Sequence, residues 1–285
     1  MESLIAYLPT DRRLAHAQGV DLPERSSGAA LFADISGFTP LTEALVRALG
    51  AQRGAEELPR QLNTVYNALI AETDRYGGSV IGFSGDAITC WFGELEHAPI
   101  DAAQRAVACA LAIQQAMQQF AQIVFPGTGV VSLAIKVAVT VGSVRRFIVG
   151  DPQIQLFDTL AGETISRLAV AEHLAERGDI VIDAACVAAL GTAAQVRTWR
   201  TDHESGARFA VLEQRTIQAT QRPWPPLGTV ALTEEQVRPW LLAPVYERLR
   251  SGMGEFLTEL RPAAALFLRF GGIDYDADPA AGNTL

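Results

Sequence analysis

Two aspartates give the first chemical indication. Asp34 ends the apolar run 29–33 and stands just before Ser36-Gly37, while Asp86 directly follows Gly85 in Ser84-Gly85-Asp86-Ala87. Either one alone is an ordinary strand-end cap or turn former. If one sheet brings both to the same edge, they become a pair of oxygen ligands suited to hard ions such as Mg²⁺ or Mn²⁺. Between strand and helix, residues 35–39 offer main-chain N–H groups at a helix N-terminus, a natural seat for phosphate. Paired carboxylates beside a phosphate seat suggest phosphoryl transfer.

The elements that must position these groups follow from patterning. Residues 28–34 are apolar on both faces, as in a central strand, and Thr39 as N-cap with Pro40 at the first helical position should open a helix. Leu58, Leu62, Val65, Tyr66, Leu69 and Thr73 recur at helical steps, so 56–75 reads as an amphipathic helix stopped by Gly77-Gly78. Short β-rich runs at 79–83 and 87–92 form a hairpin around Ser84-Gly85, and 101–122 is a helix with an apolar face. Strands are expected at 130–141 and 144–149, joined through Gly142, then a helix over 159–176, a strand at 180–182, and closing strands near 195–199 and 208–212.

Composition narrows the classes. The 285 residues are 49% hydrophobic and 19% charged, enough apolar material for a substantial core. A formal net charge of −9, from 23 Lys+Arg against 32 Asp+Glu, supplies no broad cationic field for nucleic acid or an anionic membrane, so neither is expected as a partner. Cys90, Cys109 and Cys186 are odd in number and contain no CxxC pair, which fits a reducing, cytoplasmic compartment. The N-terminus lacks a signal-peptide pattern. The uncharged stretch 106–135 is interrupted by five glutamines and Pro126-Gly127, so no membrane span is expected.

The organisation reads as a leader at 1–27, a catalytic-type domain at 28–213, a proline-containing linker with short helices at 214–261, and a segment at 262–285 that repeats the beginning. Residues 265–272 align with 30–37, as though a second copy of the domain stopped just after its first strand. Arg269 stands in that copy where the first has Asp34.

These residues resemble the class III adenylyl and guanylyl cyclases, in particular the soluble type with two cyclase domains in tandem. Phe32-Ala33-Asp34-Ile35-Ser36-Gly37-Phe38-Thr39 resembles the first metal motif of that family, and the run from Gly77-Gly78 to Asp86-Ala87 resembles the second. Arg53-Gly54-Ala55-Glu56-Glu57-Leu58 and Glu259-Leu260-Arg261-Pro262 are similar to stretches of the tandem subtype. The resemblance implies an α+β fold of the ferredoxin-like, palm-related kind, with a mostly antiparallel central sheet flanked by helices. It implies ATP as substrate, with 3′,5′-cyclic AMP and pyrophosphate as products. Asp34 and Asp86, with the Ile35 carbonyl, would hold two divalent cations, the main chain of Gly37, Phe38 and Thr39 would cradle phosphates, and Lys136 would face the triphosphate.

The departures are equally informative. Where the family's complementing domain carries an adenine-reading lysine this chain has Gly82, and where it carries an asparagine and an arginine on a late helix this chain has Ser166 and Val170. The pattern is that of a first half, whose site is completed by a second cyclase domain, and Gly82 argues against bicarbonate activation. Arg167, one position out of register, is expected in a salt bridge. His16, His97, His173 and His203 lack ligand spacing. Two other readings compete: a catalytically silent nucleotide-binding regulatory or dimerisation domain, and a diguanylate cyclase, which lacks its GGDEF-type turn here.

Overall fold

The strand that carries Asp34, Arg25–Ser36, pairs along its whole length with one neighbour and over residues 28–34 with another, and the rest of the molecule is arranged around that ladder. The computed structural model describes residues 2–94, 99–125, 129–213, 217, 219–226, 232–252, 264, 266 and 271–284. In chain order these form α1 (Glu2–Ile5), α2 (Thr10–Gln18), β1 (Arg25–Ser36), α3 (Phe38–Leu49), α4 (Ala51–Arg75), β2 (Ser79–Ser84), β3 (Ala87–Gly93) and α5 (Pro99–Met117). A small hairpin of β4 (Ile123–Phe125) and β5 (Gly129–Val131) precedes β6 (Ala134–Asp151) and β7 (Gln155–Ala161). Then come α6 (Glu163–His173), β8 (Ile180–Asp183), α7 (Ala184–Leu190), β9 (Val196–Thr201), β10 (Arg208–Leu212), α8 (Glu234–Val237) and α9 (Ala243–Arg250).

The main sheet runs β2-β3-β1-β6-β8-β10-β9, with β7 paired to the far half of β6. Every pairing is antiparallel except β6 with β8, so the fold is α+β with a mostly antiparallel sheet, as expected. One face buries Leu31, Ile35, Ile88, Phe92, Val137 and Ile182 against α3, α4, α5 and α7; the other buries Ala30, Trp91, Val144 and Phe209 against α6. Alternation along β1 explains the division, because neighbouring side chains point to opposite faces and both faces are covered.

Several expected elements are corrected. Helix α3 starts at Phe38, with Gly37 rather than Thr39 at its N-cap and Pro40 inside its first turn. Gly37 has φ +101, and a Cβ there would lie 2.5 Å from the Ser132 carbonyl oxygen, so the sharp strand-to-helix exit needs glycine. Helix α4 begins five residues before the periodic stretch, where Gly54 lets it approach the backbone at Leu45. Gly142 does not end a strand: β6 runs straight through it, and its missing side chain makes room for Thr164 Oγ1, 2.5 Å from where a Cβ would stand. Residues 159–161 belong to β7 rather than to a helix, and α6 begins only at Glu163.

Residues read as a leader contain helix α2, whose Arg12 reaches the buried Asp158 on β7 at 2.9 Å. Residues 271–282 pack against the same domain: Ala281 is buried beside Phe147, and Arg145 donates to the carbonyls of Tyr275 and Asp278. The expected second-copy strand with Arg269, the stretch Glu259 to Pro262, and His97 lie outside the described residues, apart from Ala264, Leu266, Gly271 and Gly272.

Candidate active site

Asp34 is placed by the sheet itself. It stands opposite Ala87 of β3 on one side and Lys136 of β6 on the other. Beyond it the Ile35 amide donates to the Asp86 carbonyl oxygen at 3.2 Å, which ties the turn carrying the second aspartate to the strand carrying the first. That turn is tight because Gly85 takes φ +64, a left-handed conformation that glycine adopts without steric penalty. The Tyr66 hydroxyl of α4 donates to the Gly85 carbonyl at 3.0 Å, and its ring meets Phe83 edge-on at 5.3 Å. The structure thus brings Asp34, Ile35 and Asp86 together at the C-terminal end of β1.

Lys136 joins them. Its Nζ lies 3.3 Å from Asp34 Oδ2 and 2.6 Å from Glu172 Oε1 on α6. Burial works against the ammonium, but Glu172 and then Asp34 outweigh it and hold the lysine above its ordinary range. Asp34 is shifted upward as well: burial is the main cause, Asp86 and Glu172 add repulsion, and the bond to Lys136 offsets only part. Tyr66 is raised by burial and then by Asp86 and Asp34.

The first turn of α3 faces the same end. Gly37 provides no side-chain cap, Phe38 and Thr39 have no acceptor one turn earlier in the helix, and Pro40 has no N–H. Phe38 uses its carbonyl to accept from Thr42 Oγ1 at 3.0 Å. Among the described residues the N-cap of α3 makes no side-chain bond to the main-chain donors at 37–39, the arrangement an anion uses.

The donor set suits a divalent cation. Asp34 and Glu172 share one ammonium and Asp86 repels Asp34, so the cluster carries excess negative charge in a partly desolvated place. Among the described residues no group of three or more His, Cys, Asp and Glu side chains could enclose a metal ion. Two carboxylates with open positions match an ion of the Mg²⁺ type, which is held by one or two carboxylates and completes its shell with water and substrate phosphates.

Other singled-out residues have structural roles. Arg167 donates to Asp183 Oδ2 at 3.0 Å and to the Val141 carbonyl at 2.9 Å, the salt bridge expected of it, although its partner is buried rather than on the helix surface. Ser166 Oγ contacts the Gly162 carbonyl, and Val170 packs against the α6-side core. Gly82 lies on edge strand β2, with no atom within 4 Å of where a Cβ would be. Patterning misses Glu172, whose only sequence signal is a charge near the end of a helix, and reads Tyr66 merely as an apolar helix position.

A cavity of about 680 Å³ lies elsewhere, near Ser27, Trp91 and Trp224. Ser27 is seven residues up β1 from Asp34, about 23 Å at roughly 3.3 Å per residue. The Arg105 guanidinium on its wall is already bound to Asp101 and to the carbonyls of Tyr76 and Gly93, which leaves it unsuited to phosphate.

The sheet order, with two carboxylates and a helix N-terminus gathered at one end of its central strand, defines a nucleotide-cyclase type of domain. Residues 22–206 match the adenylate and guanylate cyclase catalytic domain, and the chain belongs to that family. Adenylate cyclase type 10 of Rattus norvegicus is 27% identical over 169 residues, which is 58% of this chain but only 10% of that protein. The fold is shared with the adenylyl cyclase CyaB from P. aeruginosa (TM-score 0.55, 22% identity, 68% of this chain and 98% of that one). It is shared equally with the guanylyl cyclase Cya2 (TM-score 0.53, 23% identity, 66% and 92%). Among the described residues no helix is long and apolar enough to cross a membrane.

Proposed function

We propose that this chain is the ion- and triphosphate-holding half of a nucleotidyl cyclase that converts ATP to 3′,5′-cyclic AMP and pyrophosphate, at a site completed by a second cyclase domain. The observation that supports this reading is the tie between Ile35 and Asp86, which brings the backbone segments bearing the two aspartates together at the end of β1. In the reaction the ribose 3′ oxygen bonds to the α-phosphorus, the bond from that phosphorus to pyrophosphate breaks, and the hydroxyl proton is released. Asp34 and Asp86, with the Ile35 carbonyl, would hold two ions, Mg²⁺ or Mn²⁺. Bound there, such ions acidify the 3′-hydroxyl and neutralise the departing pyrophosphate. The amides of Gly37, Phe38 and Thr39 orient phosphate oxygens, and Lys136 supplies a cation from the neighbouring strand.

Preference for ATP rests on the sequence likeness to an adenylate cyclase, since Gly82, Ser166 and Val170 offer no side chain that reads a purine. The same three residues favour one competing reading, a nucleotide-binding regulatory or dimerisation domain without turnover. The experiment is cyclic AMP formation from Mn²⁺-ATP by three samples: the 285-residue chain alone, the chain joined to a second cyclase domain that carries a base-reading lysine, and the Asp34→Ala form of the joined protein. Activity is expected only in the intact joined protein. Folded samples that all stay at the Asp34→Ala background would leave the regulatory reading.

A further inference from the structure

We propose that Lys136 competes with a divalent cation for Asp34, and that Glu172 is the positioning residue that draws Lys136 away. This rests on the reading of Asp34 as an ion holder. The ammonium bridges two carboxylates from different elements, and it sits nearer to the helix acid, 2.6 Å from Glu172, than to the strand acid, 3.3 Å from Asp34. All three side chains are between 21% and 28% exposed, so water screens the contacts without abolishing them.

A second cation on Asp34 repels the first, so an ion can settle there only if Lys136 moves off. Glu172 is the other acid that Lys136 touches, and its hold offsets part of the cost of that move. Its place is fixed independently of the site. Two turns earlier on α6, Thr164 Oγ1 donates to the Ser143 carbonyl at 2.6 Å, and the Thr164 carbonyl accepts from Thr140 Oγ1 at 2.9 Å. The helix is thereby pinned to β6, the strand that bears Lys136. Once released from Asp34, the ammonium remains at the mouth of the site with its N–H groups available to phosphate oxygens.

The test is Mn²⁺ binding to the full 285-residue chain without nucleotide, read from the loss of the free-ion electron paramagnetic resonance signal. Lys136→Met should bind Mn²⁺ about three- to tenfold more tightly, because the competitor is gone. Glu172→Gln should bind about threefold more weakly, the order a partly exposed ion pair supplies. In the double variant the Glu172→Gln effect should largely vanish, since nothing is left to reposition. A Glu172→Gln effect of equal size with and without Lys136 would overturn the inference and reduce Glu172 to a background charge. Glu172→Asp, which keeps the charge on a shorter arm, should bind more weakly than wild type; binding equal to wild type would show that charge without placement suffices and would overturn the positioning role. If Asp34→Asn leaves Mn²⁺ binding unchanged, the ion-holding reading itself fails, and the competition with it.

Discussion

Strand β6 carries a charged cluster near each end, and the two are built on opposite terms. At the far half, Arg146 donates to both oxygens of Asp158, at 2.6 and 2.8 Å, and to both oxygens of Asp11, at 2.5 and 3.0 Å, while Arg12 adds a third bond to Asp158. Two guanidiniums meet two carboxylates, and Arg12, Arg146 and Asp158 expose no more than 6% of their side chains. Burial lowers the affinity of Arg146 for its proton, but Asp11 and Asp158 together raise it above its ordinary value. At the near end two acids share one lysine while Asp86 adds repulsion, and burial raises Asp34 without full relief. A closed cluster leaves nothing for a ligand, whereas an open one stores unmet demand for positive charge. The first holds the fold together and the second is where chemistry can enter.

Single substitutions can break that contrast. The largest effect is expected from Arg146→Met, which leaves the buried Asp158 with Arg12 alone and takes the guanidinium from the partly buried Asp11; it should lower unfolding stability by about 3–5 kcal/mol in urea titration, with Mn²⁺ binding unchanged in the folded fraction. Asp34→Asn should do the reverse. Cyclase activity of the joined two-domain protein should fall at least about 100-fold, roughly 2.7 kcal/mol of barrier, while stability moves by no more than about 1 kcal/mol. A large stability loss there would make Asp34 structural and erase the distinction. Gly37→Ala forces a side chain into a left-handed position against the Ser132 carbonyl and should cost about 1–3 kcal/mol, visible as a lower melting temperature. Tyr66→Phe, which frees the Gly85 carbonyl, should cost only about 0.5–1 kcal/mol and weaken Mn²⁺ binding about twofold, sharpening the view that α4 steadies the Asp86 turn.

Local signals make the two aspartates legible in the sequence. Asp34 ends an unbroken apolar run and Asp86 follows a turn glycine, so strand ends can be read directly from residues 28–37 and 79–92. The misread elements share a cause. Gly142 reads as punctuation when only chain neighbours are considered, yet its absent side chain answers Thr164, which lies 22 positions away. Strand β7 is obscured because Phe157 is 52% exposed and 159–161 run without a break into a helical pattern. Glu172 lies 36 positions from Lys136, and only the packing of α6 on β6 brings them together. Patterning within a segment is visible in sequence; a partner chosen by tertiary packing is not.

The ladder between β1 and β6 also sets the tempo of the site. Asp34 and Lys136 are cross-strand partners within twelve consecutive pairs, so their backbones cannot shift without the sheet shifting, and only the side chains are left to move. Asp86 is tied to β1 through Ile35 on one side, but on the other its turn leads into β2, which has a single strand neighbour and a register that slips between Val80 and Gly82. In amide hydrogen exchange, the ladder around Asp34 should open only when the whole domain unfolds, and residues 82–86 by local excursions of far lower free energy. The two aspartates should therefore differ in timescale, one on the slowest-opening part of the sheet and the other at the rim of its loosest edge.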